Sequence, residues 1–549
     1  MTRSQGFRFR VLPPCGMVAP MPLPRAFTPL RHATFRALWL ATLASNIGTW
    51  IQSTAAGWMM TSLDPRPLMV SLVQAAAMLP VFLLALPAGA LADIIDRRIF
   101  LIGAQAWILT MALLLAGLTA TDALGPWGLL AFTFAIGAGT AMNFPAWAAT
   151  TPELVPREDL VGAIALNGIG FNLARALGPA IGGFAVAAAG TAAAFVLNAA
   201  TFLVLILALL AWRREPGQSR LPKEHLLSAM RAGLRFVSAT PAMHAAIIRA
   251  CTFFFFTAAV WGLLPLLVRE QLDLGPESFG LMLGAMGAGA VGAGFLLPGL
   301  RSRADRGTLV LWASLLAAAA MAALALSRHW LPAAIALLAY GAAWITAGST
   351  LSAAAQLAAP AWVRARAIAI YQLSFFGVMA FGSALSGWLG GHLGVPPAML
   401  AAAAGGGAAA LWVRRWTLDA ARPNPAPATP IPMPEAPAAE LVALLGERSG
   451  RVLEVVHYRI DPTTRDAFLA VMREVRRVRL RSGAITWRLY EDVAHPERFT
   501  ELWAVESWTE HLREEHRLTE EDRAALSRAA GHHRGENPPE AVRYLNVAP

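Results

Sequence analysis

A chain of 549 residues with 56% hydrophobic and only 14% charged side chains cannot be a string of ordinary soluble domains, which need more charge on their surfaces. The formal net charge of +11 does not mark a nucleic-acid binder either, because the arginines stand in short clusters between apolar runs, as topology determinants do. Cys15 and Cys251 are the only two cysteines and lie far apart in sequence, so no disulfide framework is implied.

Residues 1–32 carry Arg3, Arg8 and Arg10 among prolines and no signal-peptide core, so a disordered basic tail is expected. From there to Trp416 the chain reads as twelve apolar segments, each near the ~20 residues that a helix needs to cross the hydrocarbon core. They run 34–60, 67–92, 99–120, 127–150, 162–188, 190–212, 244–268, 278–300, 308–327, 330–356, 366–391 and 395–416. Arg97, Arg98, Arg157, Arg213, Arg214, Arg301, Arg303, Arg306, Arg364, Arg366, Arg414 and Arg415 all fall on one side, against Arg66, Arg269 and Arg328 on the other. Both termini are therefore expected in the cytoplasm.

Two six-helix halves are expected, at 33–212 and 244–416, joined by a polar connector, 213–243, with an amphipathic piece at Leu226 to Val237. A weak internal repeat supports the division: Pro156, Gly178 and Gly183 recur 204 residues later as Pro360, Gly382 and Gly387. After Trp416, the stretch 417–448 holds seven prolines from Pro423 to Pro437, an extended spacer. Residues 449–549 change character. A strand at Arg451 to Ile460, a helix on which Phe468, Met472, Val475 and Val478 recur, strands at Ile485 to Tyr490 and Phe499 to Trp508, a charged helix from about Glu510 and a last strand near Ala541 to Val547 predict a small ferredoxin-like α+β unit.

Between the second and third segments stands Gly89-Ala-Leu-Ala-Asp93-Ile-Ile-Asp96-Arg97-Arg98, which resembles the signature loop of the major facilitator superfamily. Gly89, Asp93, Arg97 and Arg98 fit the pattern; Ile94 and Asp96 stand where a basic residue and a glycine are usual. The resemblance implies an all-α membrane protein of twelve transmembrane helices, with a gate in which Asp93 meets the N-terminus of the eleventh helix near Arg366. In the fifth segment, Arg175-Ala-Leu-Gly178-Pro179-Ala-Ile-Gly182-Gly183 resembles the glycine-proline motif of exporters, and with Asn172 and Ser45-Asn46-Ile47-Gly48-Thr49-Trp50 it is similar to the enterobactin-exporter and macrolide-efflux branch. Small residues at this spacing let helices approach closely, and proline permits a bend.

Arg175 stands about 20 Å into its helix, counted from Gly162 at ~1.5 Å per residue, too deep to snorkel, so it is expected to face a cavity or a partner. Neutral polar residues, among them Asn46, Gln52, Asn172 and Gln372, are the other candidates for the transport path. No Asp or Glu lies inside any of the twelve segments, so the proton coupling common in exporters lacks an obvious carboxylate. The expectation is an exporter of a small organic molecule, siderophore-like or drug-like, with protons as the coupling ion and the lipid bilayer as surroundings. An importer of the same fold, or a membrane-tethered enzyme or sensor built around the tail, is the alternative. The tail is similar to dimeric antibiotic-biosynthesis-monooxygenase-like domains, which implies dimerisation. His511 and His516, five apart, miss the helical spacing for two ligands on one face; no metal, cofactor or nucleic acid is expected.

Overall fold

The computed structural model describes residues 27–212, 226–360, 363–418 and 451–545, apart from 509, 510, 512, 513, 515, 516 and 519. The expected basic tail up to residue 26 and the proline run lie outside the described residues, as do the side chains of Gly89 and Asp93. Helices α1 (Ala33–Leu63), α2 (Pro67–Ile94), α3 (Arg97–Ala120) and α4 (Pro126–Leu154) follow one another through short turns. The next run, Leu160–Ala211, is 52 residues long, but Gly190 at φ 82 and ψ 171 divides it into two arms, α5 (160–189) and α6 (191–211). Glycine takes a left-handed φ without a Cβ penalty, which is why the fifth and sixth segments part there.

A shorter helix, α7 (Leu226–Ala239), leads into α8 (Pro241–Leu266), which ends in a π-helical turn at Leu267–Gln271. Then come α9 (Pro276–Arg301), α10 (Arg306–Leu326), α11 (Trp330–Ala358), α12 (Arg364–Leu393) and α13 (Val395–Trp412). Pro67, Pro126, Pro241 and Pro276 open their helices at the first position, where the missing N–H has no partner to lose. Among the described residues, nine helices are long and apolar enough to cross a bilayer by length and composition, with the broken run counted once. That criterion does not reach the expected twelve: α1 and α4, at 31 and 29 residues, stand outside it. In α1 the polar residues from Ser45 to Thr54 lower the average. On the outer surface, side chains such as Phe295, Leu296 and Leu326 are exposed and apolar, as contact with lipid tails requires.

Helices α1 to α6 form one bundle and α8 to α13 another, joined chiefly where α2 meets α12 and α5 meets α9. In lipid no hydrophobic force drives helices together, so association depends on close packing of small residues. The glycines 204 residues apart make equivalent contacts. A Cβ on Gly178 would lie 2.5 Å from the Trp50 Cβ of α1, and one on Gly382 would press the Phe255 carbonyl of α8. A Cβ on Gly183 would lie 2.5 Å from the Pro276 carbonyl oxygen at the start of α9; on Gly387 it would lie 2.7 Å from the Pro67 carbonyl oxygen at the start of α2. The first pair of contacts is internal to each bundle, and the second joins the bundles.

The tail runs β1 (Val452–Arg459), α14 (Arg465–Ser482), β2 (Thr486–Glu491), β3 (Arg498–Val505), α15 (Glu520–Gly531) and β4 (Glu540–Leu545). Its antiparallel sheet has the order β2-β3-β1-β4, and Phe468, Met472 and Val475 of α14 pack with Val456, Tyr458 and Trp503 of the strands. This is the expected element order. Resemblance to a monooxygenase-like domain reaches no further than this small sheet and its helices. Helix α14 also packs against α7, which in turn lies on the start of α12 near Arg366.

Candidate functional site: a cavity between the bundles

One end of the two bundles gathers the arginines. There Arg97 pairs with Glu153 at 2.6 Å, Arg98 donates to the carbonyls of Leu209 and Leu210 at 2.9 and 2.6 Å, and His32 lies 2.9 Å from Asp159. In the second bundle, Arg249 of α8 is 4% exposed and donates to the carbonyls of Gly307, Val413 and Arg414. It ties the turn after α13, at Val413 and Arg414, to the first turn of α10 at Gly307. Sequence reading missed Arg249, although a lone arginine eight residues into an apolar helix was the available signal.

A cavity of about 700 Å³ lies between the bundles. At the arginine end it reaches Pro152 and Ile164, which are exposed; at the opposite end it stops at Gly57, Val70 and Phe279, which are buried. Its mouth is therefore at the arginine face. The far face is shut by the contacts of Gly183 with α9 and of Gly387 with α2, and by Arg269, which donates to Thr61 at 2.8 Å and Ser62 at 2.5 Å across the bundles. The Arg269 guanidinium also lies over the Trp58 ring at 5.8 Å. Charge counting alone places Arg269 in a loop of that face and does not show this contact.

The two walls differ in chemistry. Polar side chains come from the first bundle, namely Asn46, Gln52, Gln74, Gln105, Asn143, Asn167 and Asn198, while α8, α9 and α12 supply Val260, Trp261, Leu264, Phe279, Leu283, Met286 and Phe376. Trp39, Trp50, Trp147, Phe171 and Phe202 add aromatic surface. Among the described residues no charged side chain lines it. Asn198 donates to Gln52, and Asn167 to Thr151 at 3.2 Å. Four buried oxygens of lining residues have no hydrogen-bond partner among the described residues: Thr42 Oγ1, Gln105 Oε1, Asn143 Oδ1 and Asn198 Oδ1. Such orphans are costly in a dry interior and are satisfied by water or a ligand with donors.

Of the residues singled out by sequence, Asn46 and Gln52 line the cavity, and Asn172, Arg175 and Gln372 do not. Asn172 donates back to the Gly168 carbonyl at 2.8 Å, as polar residues inside helices often do. Arg175 is half-buried next to Ala176, which packs on Gly287 of α9, and it lies within electrostatic reach of Tyr340. Gly178 and Gly182 press on α1, Gly183 presses on α9, and Pro179 presents its carbonyl to Gly280. They form the packing seam of α5.

In the tail, a buried network surrounds Arg479 of α14. Its guanidinium lies over the Trp503 ring at 3.6 Å and bonds Glu501 at 3.3 Å and Glu514 at 3.5 Å. Burial works against its charge, but Glu501, Glu514 and Glu454 hold its pKa above the ordinary value. Burial also pushes the Glu514 carboxyl up to about 7, with Arg479 opposing and Glu454 adding to the shift. His457 meets Thr500 at 3.2 Å on the exposed side and His511 meets Glu454 at 2.5 Å; His516 lies outside the described residues.

Residues 24–549 match the family model described as transmembrane secretion effector. An uncharacterized MFS-type transporter, YfiS of Bacillus subtilis, is 25% identical over 250 residues, 45% of this chain and 59% of that protein. The enterobactin exporter EntS of Escherichia coli O1:K1 is 28% identical over 324 residues, 58% of this chain and 76% of that protein. Among solved structures, a bacterial homolog of the human lysosomal transporter spinster, in an inward-facing and unoccupied conformation, superposes with a TM-score of 0.58 at 14% identity. It covers 71% of this chain and 98% of that one. A bacterial homologue of the iron transporter ferroportin, inward-facing, gives 0.52 at 14% identity, covering 70% and 98%. These structural likenesses establish the fold.

Proposed function

Because the chain belongs to the transmembrane secretion effector family of major facilitator transporters, we propose that it exports a small organic molecule across the bacterial inner membrane by alternating access. The observation that carries this reading is the cavity of about 700 Å³, open at the arginine face and shut at the other. With that face cytoplasmic by the positive-inside rule, all twelve long helices span the bilayer and both termini are cytoplasmic. The cavity then fills from the cytoplasm and empties when the bundles rock about it.

Kinship to enterobactin exporters supports the outward direction and a siderophore-like or drug-like cargo. The walls favour a molecule with aromatic surface to stack on Trp39, Trp50 and Trp261 and hydroxyl donors for the orphan oxygens. Protons are the coupling ion in this reading. Gly89, Asp93, Arg97 and Arg98 form the cytoplasmic gate, and Arg175 enters the path when α5 and α9 separate.

Accumulation of labelled catecholates and lipophilic drugs in an efflux-deficient bacterial host tests the reading. Export predicts lower accumulation in expressing cells, reversed by a protonophore. Raised accumulation of any of these compounds would make the chain an importer, and reduced accumulation insensitive to the protonophore would remove proton coupling.

For the tail, dimerisation is favoured by one observation. Leu453, Val455, Leu502, Ala504 and Val542 alternate with the residues that pack under α14 and α15, so they form an apolar patch on the opposite face of the sheet. Light scattering of the purified chain distinguishes dimer from monomer.

A further inference from the structure

Buried polar side chains of the tail lie apart from the cavity between the bundles. On the helix-covered face of the sheet, Glu501 is fully served: it accepts from Tyr458 at 3.0 Å, Trp487 at 2.9 Å and Arg479 at 3.3 Å. Glu454 and Glu514 are arranged differently. One oxygen of each converges with a ring nitrogen of His511 so that the three atoms lie within 4.8 Å of one another. Glu454 and Glu514 are 7% and 4% exposed, so this is an interior constellation and not a solvated acidic patch.

From this convergence we propose that Glu454, His511 and Glu514 bind a first-row divalent cation such as Zn²⁺ or Mn²⁺. Donor atoms gathered around one ion at ~2.0–2.2 Å must stand ~3–4 Å from each other. The three atoms lie within 4.8 Å, and His511 Nδ1 and Glu454 Oε1, now hydrogen-bonded at 2.5 Å, must part slightly to admit the ion. An imidazole with two carboxylates suits zinc, manganese or ferrous iron; calcium and magnesium take oxygen ligands alone. Outer partners hold the carboxylate in place, as metal ligands require: Trp503 Nε1 donates to Glu514 Oε2 at 3.2 Å and Arg479 Nη1 approaches Glu514 Oε1 at 3.5 Å. Each of those oxygens keeps a second lone pair. Binding releases to solvent the hydrogen-bonded proton between His511 Nδ1 and Glu454 Oε1, together with any proton held on the Glu514 carboxyl, and leaves the ring protonated at Nε2.

His511 and Glu514 are three residues apart on helical backbone, on one face, while Glu454 lies 57 residues earlier in β1. Histidine spacing by itself could not reveal the set. Arg479 beside Glu514 and Arg543 near Glu454 carry the same sign as the ion and lower its affinity, an opposition that the two carboxylates have to outweigh.

The test uses the full chain purified without a polyhistidine tag, equilibrated with Zn²⁺, freed of loose metal and analysed for bound metal. About one equivalent per chain is expected, with affinity at least tenfold weaker in Glu514→Gln and in His511→Gln and unchanged in a His532→Gln/His533→Gln double variant. A Co²⁺ absorption spectrum of the unaltered chain supplies a second readout that needs no variant and reports nitrogen and oxygen ligands directly. Less than about a tenth of an equivalent in the unaltered chain, equal binding in both ligand variants, or loss confined to the His532/His533 variant overturns the site.

Discussion

Gly183→Ala tests the geometry of the closed face. The added methyl would stand 2.5 Å from the Pro276 carbonyl oxygen and 2.8 Å from Gly280 Cα, with Gly280 making the reciprocal approach to the Pro179 carbonyl oxygen at 2.6 Å. Carbon contacts relax at ~3.5–4.0 Å, so α5 and α9 must part by roughly 0.7–1 Å at the crossing. Both sides of the contact are backbone, which cannot rotate away as a side chain could. Overpacking of this kind costs about 1–3 kcal/mol. The penalty falls only on the state in which the far face is shut, so the equilibrium moves by about 5- to 150-fold toward the state in which it is open. Spin labels at Ala187 on α5 and Leu281 on α9, both exposed, would report a longer-distance population in pulsed dipolar spectra of the purified chain. A distribution identical to that of the unaltered chain, in a variant that still transports, would refute the claim that this glycine holds the face shut.

Gly387→Ala should act in the same direction through α2, because it makes the equivalent approach to the Pro67 carbonyl, and labels on α2 and α12 would read it. Arg269→Ala removes the bonds to Thr61 and Ser62 and should open the far face by about 1–2 kcal/mol, with Arg269→Lys retaining part of the effect; cysteine accessibility at Ser62 measures it. Gln52→Ala leaves the Asn198 amide without its partner in the cavity wall and should weaken cargo binding about 5-fold or more, read by tryptophan quenching. Asp93→Asn should lower export without loss of insertion, and Arg175→Ala should lower it more than Arg175→Lys; unchanged efflux in either neutral variant removes that residue from the mechanism.

The sequence by itself carried the bilayer, the helices and the family. Apolar runs of spanning length and arginines concentrated in alternate turns are local properties, and they follow from the energy of a polar group in hydrocarbon whatever the packing. The 204-residue repeat was also legible, since glycines at Gly178, Gly183, Gly382 and Gly387 are points where backbones must touch. The tail's strand and helix order followed from periods of two and about three and a half residues.

Only the tertiary structure decided which of many neutral polar residues share the cavity. Asn46 and Gln52 reach it and Asn172 does not, because helix rotation is set by packing between helices, and α5 gives its small-residue seam to α1 and α9. The same reason hid Arg249, whose partners come from Gly307, Val413 and Arg414, and the trio of Glu454, His511 and Glu514. Sites assembled from residues far apart in the chain have no local pattern to betray them; the fold alone brings their atoms within reach.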